Sequence, residues 1–155
     1  MRHILPILLV LAVIPTSHVV EHAAAVSAGQ APPAVAVALA HVDAWSHHDW
    51  DRARRSLAAD VHVTVTTTQS GMARTDTTGI DAYMEGLKKF AQRIVPGSAH
   101  VIASTGDQRN ALLMLTVTAA FGPGGAKVPL TAARLYLLDD YNRIKTEQVV
   151  FFVSR

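Results

Sequence analysis

Apolar residues recur at two different periods along this chain, and the change from one to the other marks out its elements. After Ala34, the residues Val35, Ala38, Leu39, Val42 and Trp45 return every three or four positions, which predicts a helix with one buried face. Pro32 and Pro33 stand where such a helix begins. His47 and His48 interrupt the pattern, and Asp49 caps a second, shorter helix in which Trp50, Ala53, Leu57 and Ala58 share a side. At Val61 the period becomes two: Val61, Val63 and Val65 alternate with His62, Thr64 and Thr66, the pattern of a half-buried strand. A polar stretch, 69–77, leads to Thr78-Gly-Ile-Asp81, a capping-box pattern. Behind it Ile80, Tyr83, Met84, Leu87, Phe90, Ala91 and Ile94 predict a third helix, ended by Val95-Pro96-Gly97.

After Pro96 the chain reads as strands over 98–105, 111–121, 127–138 and 143–153, with turns over 106–110 and 122–125. The last two strands form a long hairpin turning at Asp139, Asp140 and Asn142, residues that favour tight loops. Short loops between consecutive strands favour antiparallel neighbours. The expected fold is therefore α+β: a curved antiparallel β-sheet cone with three helices packed on its concave face. In the last strand Val149, Phe151 and Val153 alternate with Val150 and Phe152, so both faces are apolar. A second copy of the same sheet is the economical cover for the convex side, which predicts a homodimer.

Composition adjusts this picture at the N-terminus. Arg2 and His3 precede an apolar run from Ile4 to Ile14, too short to span a bilayer, and the tract HAAAVSA follows, with Val26 and Ala28 at the small-residue positions of a cleavage site. Residues 1–28 read as a signal peptide, 29–33 as a flexible lead and 34–155 as one domain, secreted or periplasmic, with no stable membrane anchor after cleavage. The net charge of +2 is a small excess with no basic patch, which argues against nucleic acid as a partner. There is no cysteine, so disulfides, thiol nucleophiles and thiolate metal sites are excluded.

Four features together resemble the nuclear transport factor 2-like superfamily and, within it, the SnoaL-like domains: Trp45 followed by His48-Asp-Trp-Asp51, the entry Ala59-Asp60-Val61, Gly79-Ile-Asp-Ala-Tyr-Met84, and the terminal hairpin. The resemblance covers Pro33 to Val153. It implies a cone with a pocket between sheet and helices, used by polyketide cyclases, ketosteroid isomerases, epoxide hydrolases and non-catalytic binding domains. It also implies, for cyclase-type members, an acid at the end of the last strand. This chain reads Val149-Val-Phe-Phe-Val153 there and so departs from that pattern.

Candidate chemistry is sparse. His41, Asp43, His47, His48, Asp49 and Asp51 crowd one stretch, but helical spacing pairs only His47 and His48 with Asp51, so a capped helix junction is expected and no metal. Arg134, Tyr136, Lys145 and Glu147 form the best constellation. If Leu138 pairs with Arg143, Arg134 faces Glu147 and Tyr136 faces Lys145 on one side of the hairpin; a one-residue shift sends Glu147 to the other face. The expected ligand-binding residues are Trp45, His62, Tyr83, Met114, Arg134, Tyr136 and Glu147, with His62, Glu147 and Tyr136 the catalytic candidates and His100 a further titratable group. The expected function is binding of a small lipophilic molecule in the cone pocket, without cofactor; the alternative is acid–base catalysis of the polyketide cyclase or ketosteroid isomerase type.

Overall fold

A computed structural model of the protein describes residues 30–67, 73–120 and 125–152. The proposed signal peptide and the tip of the 122–125 turn lie outside them. Helix α1 (Pro33–Ser46) starts with proline at its first position, where a missing N–H costs nothing. Helix α2 (Trp50–Arg55) is capped by Asp49, whose carboxylate accepts from the Arg52 N–H at 3.0 Å. Leu57 and Ala58, expected on that helix, instead open strand β1 (Leu57–Thr67). Helix α3 (Ile80–Ala91) buries Tyr83, Met84, Leu87 and Ala91, the spacing its sequence predicts. Its capping box is not used: Gly79 is the N-cap without a side-chain bond, and the Thr78 hydroxyl meets His62 Nδ1 at 2.9 Å.

The polar stretch before α3 contains a further strand, β2 (Ala73–Thr78), paired antiparallel with β1. The reading from sequence missed it because a strand with almost no buried face carries no apolar alternation. Strands β3 (His100–Gly106), β4 (Asn110–Ala120), β5 (Lys127–Leu138) and β6 (Ile144–Phe152) form the expected antiparallel meander. The sheet order is β2-β1-β6-β5-β4-β3, and β1 lies parallel to β6. The fold is the expected α+β cone with three helices, but its sheet is mixed: the helix and strands between β1 and β6 return the chain to β1 in the same direction.

Alternation assigns the two faces. In β4, Ala111, Leu113, Leu115, Val117 and Ala119 are buried against the helices with Ala38, Val42 and Trp45 of α1. Leu112 and Met114 point the other way and are about two-fifths exposed. The terminal hairpin turns through Asn142 in the left-handed conformation (φ 57°), and the Asp139 carboxylate accepts from the backbone N–H groups of Tyr141 and Arg143. Leu138 pairs with Ile144 and Leu137 with Thr146, so Lys145 forms a bulge. This corrects the expected register by two residues: Tyr136 faces Glu147, and Arg134 faces Val149. Because the side-chain period is two, Arg134, Tyr136 and Glu147 remain together on the inner face. Lys145 leaves the constellation and is exposed, 3.9 Å from Asp60.

Candidate functional site

A cavity of about 290 Å³ opens between α3 and strands β1, β2 and β6. Its walls are largely apolar: Val63 and Val65 from β1, Leu87 and Phe90 from α3, Val149 and Phe151 from β6. The exposed residues Ala82 and Gly86, one helical turn apart, stand at the rim opposite Thr75 of β2. The buried lining residues Tyr83, Arg134 and Glu147 form its inner, polar end.

These three are held by different elements and by one another. Arg134 Nη1 donates to Glu147 Oε1 at 2.7 Å, a cross-strand diagonal set by the hairpin register. The Tyr83 hydroxyl, brought in by α3, donates to Glu147 Oε2. The Arg134 guanidinium lies over the Trp45 ring, 4.8 Å from its centroid, and 5.8 Å from that of Phe90. Behind Tyr83, the Nε2 atom of His41 lies 2.9 Å from its hydroxyl oxygen, and His41 Nδ1 lies 2.7 Å from Ser56 Oγ. Ser56 also donates to the Ala53 carbonyl at 2.6 Å. The result is a buried polar row from Arg134 to Ser56 that crosses β5, β6, α3, α1 and the end of α2.

Burial sets its electrostatics. Desolvation lowers the pKa of His41 to about 4, although the Glu147 charge pulls it upward, so its imidazole is neutral at pH 7. Burial and then the Glu147 charge hold the Tyr83 hydroxyl well above its ordinary pKa, and the same two causes raise Tyr136. Burial works most strongly against the charge of Arg134, but Glu147, Tyr136 and Tyr83 together more than offset it, and its pKa lies above the ordinary value. Three buried polar atoms find no hydrogen-bond partner among the described residues: Trp45 Nε1, Arg134 Nε and Tyr136 Oη. Tyr136 lies close enough to feel both charges of the pair without bonding in good geometry to either.

Of the seven expected ligand-binding residues, the structure brings Tyr83, Arg134 and Glu147 to the cavity. Trp45 and Tyr136 are fully buried behind it, as a ring beneath the guanidinium and a wall beside His41. His62 and Met114 are on the opposite face of the sheet, each flanked by buried neighbours that point inward. His62 there faces Thr78 and Asp76. His100 is exposed on β3. The reading from sequence passed over His41, treating it as one of a polar cluster, although it sits at the spacing of Ala38, Val42 and Trp45 on the apolar face of α1. That position was the available signal. The rest of that cluster does form a helix junction, with Arg52 bound to Asp43 at 2.7 Å and His47 Nδ1 to the Asp43 carbonyl at 2.9 Å. Among the described residues no three His, Asp or Glu side chains converge as metal ligands would. Although the end of β6 lacks the acid that the family pattern implies, the strand delivers a carboxylate to the cavity from its middle, at Glu147.

A sequence profile of the SnoaL-like domain family matches residues 38–146, from within α1 to the start of β6. The chain belongs to the SnoaL-like domain family. Solved structures with the same fold include a protein from Kribbella flavida, 25% identical, with a TM-score of 0.62 over 76% of this chain and 85% of that one. A candidate SnoaL-like polyketide cyclase from Shewanella denitrificans is 11% identical, with a TM-score of 0.62 over 78% of this chain and 91% of that one. An epoxide hydrolase from M. tuberculosis is 19% identical, with a TM-score of 0.59 over 77% of this SnoaL-like chain and 83% of its own. None of the curated proteins compared with the chain matches it.

Proposed function

We propose that this SnoaL-like domain binds a small lipophilic molecule in the cavity between α3 and the sheet, with Tyr83, Arg134 and Glu147 holding its polar end. The observation that carries this reading is the ion pair at the inner end of an otherwise apolar cavity. A buried ion pair is a poor device for stability, since apolar residues of similar volume serve as well or better. Tyr83, Arg134 and Glu147, which line that end, supply the charge and the hydrogen-bonding groups that would orient a ligand oxygen there. The cavity volume is at the small end of the range for ligand pockets, which suits a compact molecule.

A second reading, acid–base catalysis, is favoured by one specific feature: a carboxylate faces the cavity with a tyrosine hydroxyl and a neutral imidazole behind it. Glu147 would take the proton and the Arg134 guanidinium would stabilise the developing oxyanion. Both oxygens of Glu147 are already engaged, by Arg134 and Tyr83, which weakens it as a base and favours the binding reading.

Native mass spectrometry of the purified protein tests the first reading. It should show a small-molecule adduct that is lost in Gly86→Phe, because a Cβ at Gly86 meets nothing within 4 Å and the ring would occupy the rim. An adduct that persists in this variant places binding elsewhere. If turnover is found, Glu147→Gln should abolish it, and His62→Ala, on the outer face, should not.

Two related proposals concern the protein's setting. The convex face carries a stripe made of Leu112, Met114, Leu135, Val150 and Phe152, and a second copy of the chain is the partner it suits. Light scattering should report twice the chain mass, reduced to one in Met114→Lys; a monomeric parent protein would exclude the dimer. The Arg2–Ala28 pattern supports export, and mass spectrometry of protein recovered outside the cytoplasm should find an N-terminus near Gly29.

A further inference from the structure

The row of atoms behind Glu147 does more than fill space, because its hydrogen bonds can run in either of two directions. In one, His41 carries its single ring proton on Nε2 and donates to Tyr83 Oη, Tyr83 donates to an ionised Glu147, and Ser56 donates to Nδ1. In the other, Nδ1 carries the proton and donates to Ser56 Oγ, Ser56 donates to the Ala53 carbonyl, Tyr83 donates to Nε2, and a protonated Glu147 donates to Tyr83. Both use the same heavy-atom positions. The first keeps the full Arg134–Glu147 ion pair but spends the single Ser56 proton on Nδ1, which leaves Ser56 Oγ at 2.6 Å and Nδ1 at 3.3 Å from the Ala53 carbonyl with no proton between; the second satisfies every contact in the row and discharges the pair.

We propose that His41 is a proton relay between Glu147 at the cavity and Ser56 at the half-buried end of α2, shifting its ring proton between Nε2 and Nδ1 while remaining neutral. The step balances. A proton from water arrives at Ser56 Oγ as the serine proton passes to Nδ1; the Nε2 proton passes to Tyr83 Oη, and the Tyr83 proton passes to Glu147 Oε2. Each intermediate atom ends with the number of protons it began with, except that the imidazole has exchanged one nitrogen for the other. Burial supports the scheme by disfavouring the imidazolium that would otherwise trap the proton at His41. The charged and titratable groups facing Glu147 are Arg134 and Tyr136 from β5, Tyr83 from α3 and His41 from α1; β1 presents Val63 beside it. Apart from the cavity itself, the route that leads from this group toward solvent among the described residues runs through Tyr83 and His41. Glu147 can thereby exchange a proton on the side away from a bound ligand.

This inference rests on Glu147 as the polar group of the cavity but not on any ligand, so its test is run without one and its failure leaves the binding reading standing. The experiment is nitrogen NMR of His41, with carbon NMR of the Glu147 carboxyl, on protein isolated from cells expressing the full chain, over a series of pH values. As Glu147 takes up a proton, the shifts of Nδ1 and Nε2 should exchange, with one nitrogen protonated throughout. In Glu147→Gln the exchange should vanish, and in Tyr83→Phe, which cuts the row, it should no longer follow Glu147. A His41 that keeps one tautomer across the protonation of Glu147, or that becomes charged together with it, overturns the relay. So does an exchange that still follows Glu147 in Tyr83→Phe.

Discussion

Two arginine–carboxylate pairs lie on opposite faces of this sheet at nearly the same distance, and they are not equivalent. Arg134 and Glu147 meet at 2.7 Å with side chains 3% and 2% exposed. Arg74 and Asp76 meet at 3.0 Å with side chains 64% and 43% exposed. Water screens the outer pair and solvates either partner if the other is removed, so its distance says little about its weight. The inner pair has surrendered its water, and each charge depends on the other. The two histidines nearby repeat the contrast. His62, on the outer face, shares solvent with Asp76, whereas burial holds His41 neutral. Burial, and not proximity, separates the polar groups able to act on a ligand from those that decorate a strand.

The comparison is broken most directly by deleting one buried charge. Glu147→Leu should cost about 3–5 kcal/mol, read as a fall in denaturant midpoint, and adding Arg134→Met should recover most of it. If the single variant is neutral, the inner pair is not desolvated in the way described. The next effect is a pH dependence. His41 titrates near 4 in the fold and near 6.5 when unfolded, so the unfolded chain binds the extra proton between those values. Stability is therefore complete above pH 6.5 and falls by on the order of 3 kcal/mol as pH drops to about 4. The lowered carboxylates Asp76, Asp107 and Asp139 add their loss only below their ordinary value of 3.8, and the exposed Glu85, lowered by Lys89, adds its loss below 4.5. Comparing the denaturant midpoint at the two ends of the upper window, in the parent protein and in His41→Gln, isolates the histidine: the slope should flatten in the variant.

Smaller still is the effect at the cavity rim. Gly86 lies mid-helix with open space where a Cβ would be, so Gly86→Ala should stabilise by about 0.5–1 kcal/mol through helix propensity, read as a raised thermal midpoint. A loss instead would mean that the backbone there is needed close to a neighbour. The smallest effect belongs to the outer pair: Asp76→Asn should leave the denaturant midpoint almost unchanged, and a large loss would erase the distinction between the faces.

The elements α1, α3, β1, β4, β5 and β6 were legible in the sequence because each buries one face. The α1 and α3 patterns, the alternation of β1 and the meander all stand, as does the SnoaL-like family. β2 was not legible, since its threonines face the cavity rim and solvent and leave no apolar trace, and neither was the parallel pairing of β1 with β6, which depends on contacts distant in sequence. At the site, the grouping of Arg134, Tyr136 and Glu147 survived an incorrect register because the bulge at Lys145 and the longer turn add up to an even shift. His62 and Met114 were assigned inward only because polarity and size do not reveal which face of a strand meets the helices; their valine and leucine neighbours did. His41 was hidden by its polar company, although its helical position marked it as buried.

The central claim is that the inner end of the cavity receives the oxygen of a small apolar molecule. It is tested most directly by a crystal structure of the protein with the molecule that co-purifies with it, or with a small cyclic ketone soaked in its place. The ligand should lie between α3 and β6, with its oxygen toward Tyr83, Arg134 and Glu147 and its apolar body against Val63, Leu87 and Val149. A cavity closed by its own side chains, or a ligand lodged on the outer face beside His62, would contradict it.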